Sequence, residues 1–470
     1  LQQWSGKVVY FASSAPGCGA GCVSKAFEAR QSAGKQFSAV QIKEALTSNQ
    51  EEYLDLGVQL GKAKVLVDGF ILTQREFVDV ANLSELSRYS GGQVRLYSDF
   101  QPHKSLHLFY QQLEIATDPN QAIEAAVRVR YSPQMEIKQF YGSGVREGEN
   151  LYHIGHCQPH QAFACQLKYL KDLLPGTFVY FQMCFFYTTK SQERRVRVCT
   201  KRARVESDLS YLSSISVLPT LTLLAKKLSF AVKKNTGVES ASVSFVTFED
   251  ERGTMSSSSS LEQLQKSLLG MSCLHFKNYC KLSKYTQLQQ FAPKFHELLC
   301  FVFGLYKSYM LRNAGQTVDQ RAAFMSKLEF VDGESLKGML YPIVYDLEGQ
   351  RVRAHVQNLQ KDKIYAVSAV GCIYVLIGAE VDNQTIQELT IGELLGEGEI
   401  QLNLATQNEN CQKLGQIVEK IRNEVGEMLP IRCFSGLHKQ ANAILREMIE
   451  SRVDGMEFQE FLRIIQANMK

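Results

Sequence analysis

The chain has 470 residues, of which 45% are hydrophobic and 21% charged. Those proportions exclude general disorder, and 32 Gly with 10 Pro exclude a collagen-like or linker-dominated chain. With 52 basic against 48 acidic residues the net charge is +4, too small over this length to argue for nucleic acid, so any basic function must be a local patch.

At ordinary domain sizes this length predicts roughly three to four domains. The first 100 residues alternate strands and helices. GKVVYFASS (6–14) reads as a short apolar strand ending in the turn APGCGAG, and a helical stretch follows around 51–60. AKVLVDGFIL (63–72) reads as a fully buried strand. The next segment, REFVDVANLSELSRYSGG, reads as a helix: Phe77, Val80, Leu83 and Leu86 recur near its period, and Gly91–Gly92 stop it. QVRLYSDF closes the unit as a third strand. Strand–helix–strand order at this spacing predicts a parallel sheet covered on both faces.

From 101 to 205 the helical period fades. AAVRVRYS, MEIKQFYG, TFVYFQMCFFYTT and RRVRVCT predict a β-sandwich or barrel. From 206 to 339 the chain turns helical. LTLLAKKLSFAVKK puts Leu221, Leu224, Leu228 and Ala231 on one face, with Lys226, Lys227, Lys233 and Lys234 largely elsewhere. Ser256 to Ser260 reads as a loop, with Ser260 and Gln263 as a capping box for the next helix. From 340 to 470 strands return, then helices. The longest apolar run, 364–379, is shorter than a membrane span and reads as two buried strands joined at 369–371. In MEFQEFLRIIQ, Phe458, Phe461, Leu462 and Ile465 form one apolar helix face.

Twelve scattered cysteines, several in apolar runs, read as buried thiols in a reducing compartment rather than a disulfide framework. The turn Gly17-Cys18-Gly19-Ala20-Gly21-Cys22 fails the dinucleotide fingerprint, because its sixth place is Cys22, and no Walker lysine follows. His153, His156, Cys157 and His160 offer zinc-ligand types, but Gly155 and Pro159 imply a turn and no second ligand pair follows, so exposed loop histidines are expected. Cys18 and Cys22 lack a distant partner pair in the same way. No serine elbow, HExxH or paired carboxylates stand out, so the residues make no case for an enzyme.

The most informative stretch is Glu193-Arg194-Arg195-Val196-Arg197-Val198. On a strand, Arg195 and Arg197 project to one face and Val196 and Val198 to the other. The expectation is that the valines face the core while two guanidiniums stand side by side, able to fork onto carboxylates. Lys190, Lys201, Arg202 and Arg204 extend the positive potential. Spacing alone favours a solvated edge strand blunted by charge.

The order of these segments resembles the inner-coat subunits of COPII vesicles. The resemblance is closer to the cargo adaptor than to its GTPase-activating sister. It is carried by GKVVYFASSAPGCGAG, VLVDGFILTQREFVDVANLSELSRYSGGQVRLYSDF, AAVRVRYSPQMEIKQFYGSG and FQMCFFYTTKSQERRVRVCT. It continues through Val318-Asp319-Gln320-Arg321, Leu340-Tyr341-Pro342 and MIESRVDGMEFQEFLRIIQ. The fold it implies is multidomain α+β. A partial vWA-like α/β trunk (1–100) is followed by a β-sandwich (101–205), an all-helical domain (206–339) and a gelsolin-like domain with closing helices (340–470). The implied function is non-enzymatic: binding of export signals on membrane cargo in ER-to-Golgi transport.

The family's RR-[IV]-RV strand falls on Arg195 and Arg197, which makes them the expected cargo-signal site. The implied partners are the sister inner-coat subunit, a small recruiting GTPase, cytosolic tails of cargo and the anionic ER membrane surface, with no nucleic acid. The implied location is cytoplasmic, peripheral on ER membrane and COPII vesicles. No cofactor is expected in this segment, the family's zinc ion belonging to an upstream zinc ribbon. That ribbon, the disordered region before it and the first half of the trunk have no counterpart here. The chain, which begins at Leu1 with no signal peptide, thus reads as the later part of something longer. VESASVSFVTFED (238–250) and the serine tract that follows depart from the family and read as an insertion. The sister subunit's arginine loop has no counterpart in 340–470, which leaves GTPase activation as the alternative function. A gelsolin-like actin- or calcium-binding protein is a remoter one, lacking an acidic calcium cluster.

Overall fold

The computed structural model describes residues 5–19, 21–22, 46, 48, 51–74, 76–207, 216–234, 265, 268–270, 293–312, 316–369, 371–390, 399–403, 408–435, 441–452 and 455–468. The chain divides into two compact units. The first comprises Leu1–Phe100, Glu114–Phe295 and Tyr309–Gly333, and the second Gln101–Leu113, His296–Ser308 and Glu334–Lys470.

In the first unit β1 (Gly6–Ala12), β2 (Val65–Leu72) and β3 (Val94–Tyr97) form the expected parallel sheet in the order β1-β2-β3. The glycine segment after β1 is a tight turn, with Gly19 and Gly21 at positive φ and the Cys22 N–H donating to the Gly19 carbonyl. The central strand β2 is buried along seven of its eight residues, and its one carboxylate, Asp68, accepts from Gln158 and pairs with Lys7 at 3.1 Å. That partnering is what lets an anion sit in a sheet centre. The helix after β2 runs only over Val80–Ser90, because Asp79 caps it in the left-handed region at φ 64; Phe77 lies outside it. Gly91 ends it at φ 95, and a Cβ there would lie 2.0 Å from the Ile154 carbonyl oxygen, so only glycine fits. Asp319, in helix Val318–Phe330, accepts from the Val78 and Val80 N–H groups and ties the two helices together.

Residues 101–117 depart from the expectation. Pro102–Thr117 is a helix, opened by Pro102 at its first position, where the missing N–H costs nothing. Only Leu108 and Ala116 of its apolar residues are buried, so its apolar stripe is thin and the period is faint. The strands then follow as read: β4 (Ala122–Tyr131), β5 (Met135–Tyr141), β6 (Val145–Glu147), β7 (Leu151–Cys157), β8 (Ala164–Tyr169), β9 (Phe178–Thr188) and β10 (Arg194–Arg204). They form a five-stranded sheet, β10-β9-β4-β7-β6, and a two-stranded ribbon, β5-β8. Ala125, Val127, Tyr152 and Ile154 of the larger sheet pack on Ile137 and Phe140 of the ribbon.

Helix Val217–Lys234 lies on the apolar face predicted for it, with Leu221 and Leu228 buried. Its lysines do not keep to a solvent face. Lys226 is fully buried, and its ammonium donates to the Leu328 and Glu329 carbonyls at the end of helix Val318–Phe330. Unpaired carbonyls at a buried helix end require donors, and Lys226 supplies them. Lys233 pairs with Glu85 and Glu329. The proposed loop and capping box at 256–263, and the insertion at 238–250, lie outside the described residues.

The second unit is built on a six-stranded sheet ordered β12-β11-β13-β14-β16-β15. Its members are β11 (Ile343–Asp346), β12 (Arg351–Val352), β13 (Ile364–Ala369), β14 (Cys372–Ile377), β15 (Glu399–Ile400) and β16 (Ile431–Ser435). The hairpin β13–β14 realises the apolar run at 364–379, with Gly371 at φ 71 in its turn. Alternate residues serve the two faces. Ile364, Ala366, Ile373 and Val375 pack on Leu414, Ile417 and Ile421 of helix Glu409–Val425. Tyr365, Val367 and Leu376 pack on Ile444 and Met448. Helix Phe458–Asn468 buries Phe458, Phe461 and Ile465, with the Phe461 ring centroid 5.1 Å from that of Phe303.

Candidate functional site

Strand β10 is the outermost of its sheet, paired on one side to β9 over 11 residues without a register shift. All 11 of its residues are exposed. Among the described residues the facing layer is the β5–β8 ribbon, and no β10 residue reaches the core it covers.

Arg195 and Arg197 do share a face, but not the one expected. Arg195 stands opposite Tyr187 and Arg197 opposite Phe185, and those two rings stack 4.9 Å apart and pack on the sandwich core. The arginines therefore prolong the inner face past its cover. Val196 and Val198 lie on the outer face and are 58% and 54% exposed, so the valines do not enter the core. A shift of one residue exchanges the faces of a whole strand, and among the described residues no layer covers either face of β10, so burial does not fix the choice.

The Cα atoms of Arg195 and Arg197 sit roughly 7 Å apart along the strand by its ordinary rise. Arg195 donates to Glu193 Oε2 from Nη2 at 2.6 Å and from Nε at 3.2 Å, and this carboxylate pushes its pKa further up. Among the described residues Arg197 and Lys201, on the same face, have no ion-pair partner. Arg194 stands 3.9 Å from Glu124, Arg204 pairs with Glu206 at 2.9 Å, and Arg202 lies over the Phe178 ring at 4.8 Å. Phe178, Tyr180 and Met183 of β9 are also exposed, giving a basic surface interleaved with apolar groups.

The histidine cluster is not an exposed loop. His153 and His156 lie within β7, where Gly155, at φ 63, sits at the irregularity opposite Ala125; the turn comes at 159–160. His153 pairs with Glu147 at 2.5 Å, and its hydrogen bond holds that carboxyl below the usual range. His156 is buried, and desolvation pushes its ring down to about 4. His160 faces Asp332 at 3.4 Å, and burial pushes the Cys157 thiol up, away from a ligating thiolate. Among the described residues no group of three or more His, Cys, Asp and Glu is placed to hold a metal ion, and Cys18 and Cys22 are exposed.

One buried network had no signal in the sequence. Arg88 contacts Glu329 and Glu85 at 3.2 Å each, Lys233 bridges the same carboxylates, and Arg88, Lys226 and Glu329 line a cavity of about 190 Å³ with Tyr152 and Phe230. The residues come from three segments, Lys233 standing 148 positions from Glu85 and 96 from Glu329, so no spacing rule connects them.

Comparison with known proteins gives a consistent picture. Residues 1–116 match the Sec23/Sec24 trunk domain and residues 122–206 the Sec23/Sec24 beta-sandwich domain. The chain is similar to protein transport protein SEC24 B of Arabidopsis thaliana, 23% identical over 97% of this chain and 41% of the relative. It is likewise similar to protein transport protein SEC24 of Lachancea kluyveri, 23% identical over 90% of this chain and 47% of the relative. It thus spans less than half of these relatives' length. The human COPII-coat protein Sec24c shares its fold, with a TM-score of 0.83 at 17% identity over 99% of this chain and 61% of that one. No helix among the described residues is long and apolar enough to cross a membrane.

Proposed function

The chain belongs to the Sec23/Sec24 family as a divergent member of the Sec24 type, and on that premise we propose that it acts as a cargo-adaptor subunit of the COPII coat, reading acidic export signals on cargo tails through Arg195 and Arg197. The observation that carries this reading is the exposed pair of guanidiniums on one face of β10, with Arg197 and Lys201 free of ion pairs among the described residues. A carboxylate-bearing tail meets charge-assisted donors there without first entering a buried pocket.

On this reading the protein is no enzyme. It works at the cytosolic face of the ER membrane and on vesicles, beside a sister inner-coat subunit and a small recruiting GTPase. Attraction to anionic lipid is worth about 1 kcal/mol per basic residue near the surface, so several must act together. Weak single contacts with cargo then gain by avidity in a polymerised coat. The same reading divides the chain into trunk (1–100), sandwich (101–205), helical (206–339) and gelsolin-like (340–470) parts.

The test is binding of an acidic signal peptide, followed by fluorescence anisotropy, to the wild type and to Arg195→Ala/Arg197→Ala. A loss of roughly ten-fold or more is expected for removal of two charge-assisted contacts. Unchanged affinity refutes the site.

A further inference from the structure

We infer that the acidic segment recognised at this site binds as an added antiparallel strand on the free edge of β10, its acidic residues facing Arg195 and Arg197 and its alternating aliphatic residues facing Val196 and Val198. This rests on the site reading above and specifies how the site is occupied.

The backbone pattern sets the geometry. At one end the Thr189 N–H donates to the Glu193 carbonyl, and at the other the Val205 N–H donates to the Thr177 carbonyl. Between them the pairing of β9 and β10 has no shift. In an antiparallel ladder hydrogen-bonded and non-bonded pairs alternate, so odd-numbered residues turn their peptide groups towards β9. Arg194, Val196, Val198, Thr200 and Arg202 turn theirs outward. Among the described residues no strand receives them.

Proteins usually close such an edge with a proline, a bulge or a short strand. β10 has none of these: it is 11 residues long, regular and without proline. What it has is charge, with Arg194, Arg195, Arg197, Lys201, Arg202 and Arg204 along its length. A second copy of the same edge would set cation against cation, which is unfavourable between facing strands. An acidic strand turns that repulsion into attraction. Strand addition supplies affinity through the main chain and specificity through alternate side chains. Here those alternate sites are cationic at Arg195, Arg197 and Lys201 and aliphatic at Val196 and Val198.

Residues of the incoming strand that stand opposite Val196 and Val198 exchange hydrogen bonds with them, because these β10 residues carry the outward peptide groups. The aliphatic residues of the ligand therefore donate to β10, whereas its acidic residues direct their N–H groups to solvent.

The experiment uses the whole chain and a ten-residue peptide with a central Glu-Val-Glu-Val-Glu. Three modified peptides accompany it: one N-methylated at the valines, one N-methylated at the glutamates, and one of the same composition with the glutamates in a block. N-methylation at the valines is expected to weaken binding roughly ten-fold, as two hydrogen bonds are lost. N-methylation at the glutamates leaves affinity unchanged, and the block peptide binds more weakly. In the protein, Val198→Pro removes an outward N–H at an edge where proline is tolerated. It is expected to lower affinity roughly five-fold while leaving the circular dichroism spectrum unchanged.

Equal affinity for the two N-methylated peptides overturns strand addition. If Arg195→Ala/Arg197→Ala still abolishes binding in that case, the site stands and only the added strand falls. Loss of the arginines without effect removes both. Self-association of the chain by sedimentation that Val198→Pro abolishes and none of the peptides suppresses assigns the edge to a second copy and also overturns the proposal.

Discussion

Replacing Lys226 by methionine probes the interior of the first unit through pH. The Lys226 ammonium is fully buried, and that desolvation, only partly offset by Glu329 and Asp332, pushes its pKa down from 10.5 to about 7. In the unfolded chain the amine keeps its proton to about 10.5. Between pH 7 and 10.5 the unfolded state therefore binds more protons, and stability rises with pH by up to about 1.4 kcal/mol per unit. Below 7 the amine is charged in both states, the burial cost is fully felt, and the slope vanishes. The lysine also donates to the Leu328 and Glu329 carbonyls, and losing those bonds costs about 1–3 kcal/mol without regard to pH. Urea unfolding followed by circular dichroism at pH 6, 7, 8 and 9 separates the two effects. The wild type is expected to gain about 2 kcal/mol on Lys226→Met between pH 7 and 9. Parallel stability profiles across that range refute the buried, low-pKa amine.

Two further outcomes follow from the same geometry. Glu193→Gln releases Arg195 from the carboxylate that now occupies it, and is expected to raise affinity for the acidic peptide roughly two- to five-fold, as for an exposed competing pair; anisotropy titration at low and high salt checks it. Phe461→Ala empties a fully buried position between Phe303 and Phe458 in the second unit, and a thermal melt is expected to show a loss of about 3–5 kcal/mol.

The parallel sheet, the hairpin of β13 and β14 and the closing helix were legible because each has a side-chain period that burial enforces. Val65 to Ile71 is apolar apart from Asp68 and Gly69, and Phe458, Phe461 and Ile465 fall on one helical face. Helix Pro102–Thr117 was not legible, since few of its apolar residues are buried and its pattern is correspondingly weak. Glycine in a sequence ordinarily signals a turn, but Gly155 marks an irregularity within β7, so His153 and His156 lie on a strand. Helical spacing puts Lys226 off the apolar stripe, yet its surroundings are set by carbonyls more than 100 positions away. The alternation in Arg195-Val196-Arg197-Val198 gave the strand and its two faces correctly. It did not give which face is inner, because that depends on the Tyr187 and Phe185 rings opposite.

The inverted faces strengthen rather than weaken the case for recognition at β10. Valines on the inner face would have stood beside Tyr187 and Phe185 and left the arginines on the outer one. As built, the arginines continue the line of Tyr187 and Phe185, and so stand at the lip of the apolar core rather than in open solvent on both sides. On the proposed binding mode, the same cations that set the free edge against its own copies are the groups that would admit a strand of opposite charge. Protection against self-pairing and selection of the ligand are one electrostatic effect, seen by two different approaching strands.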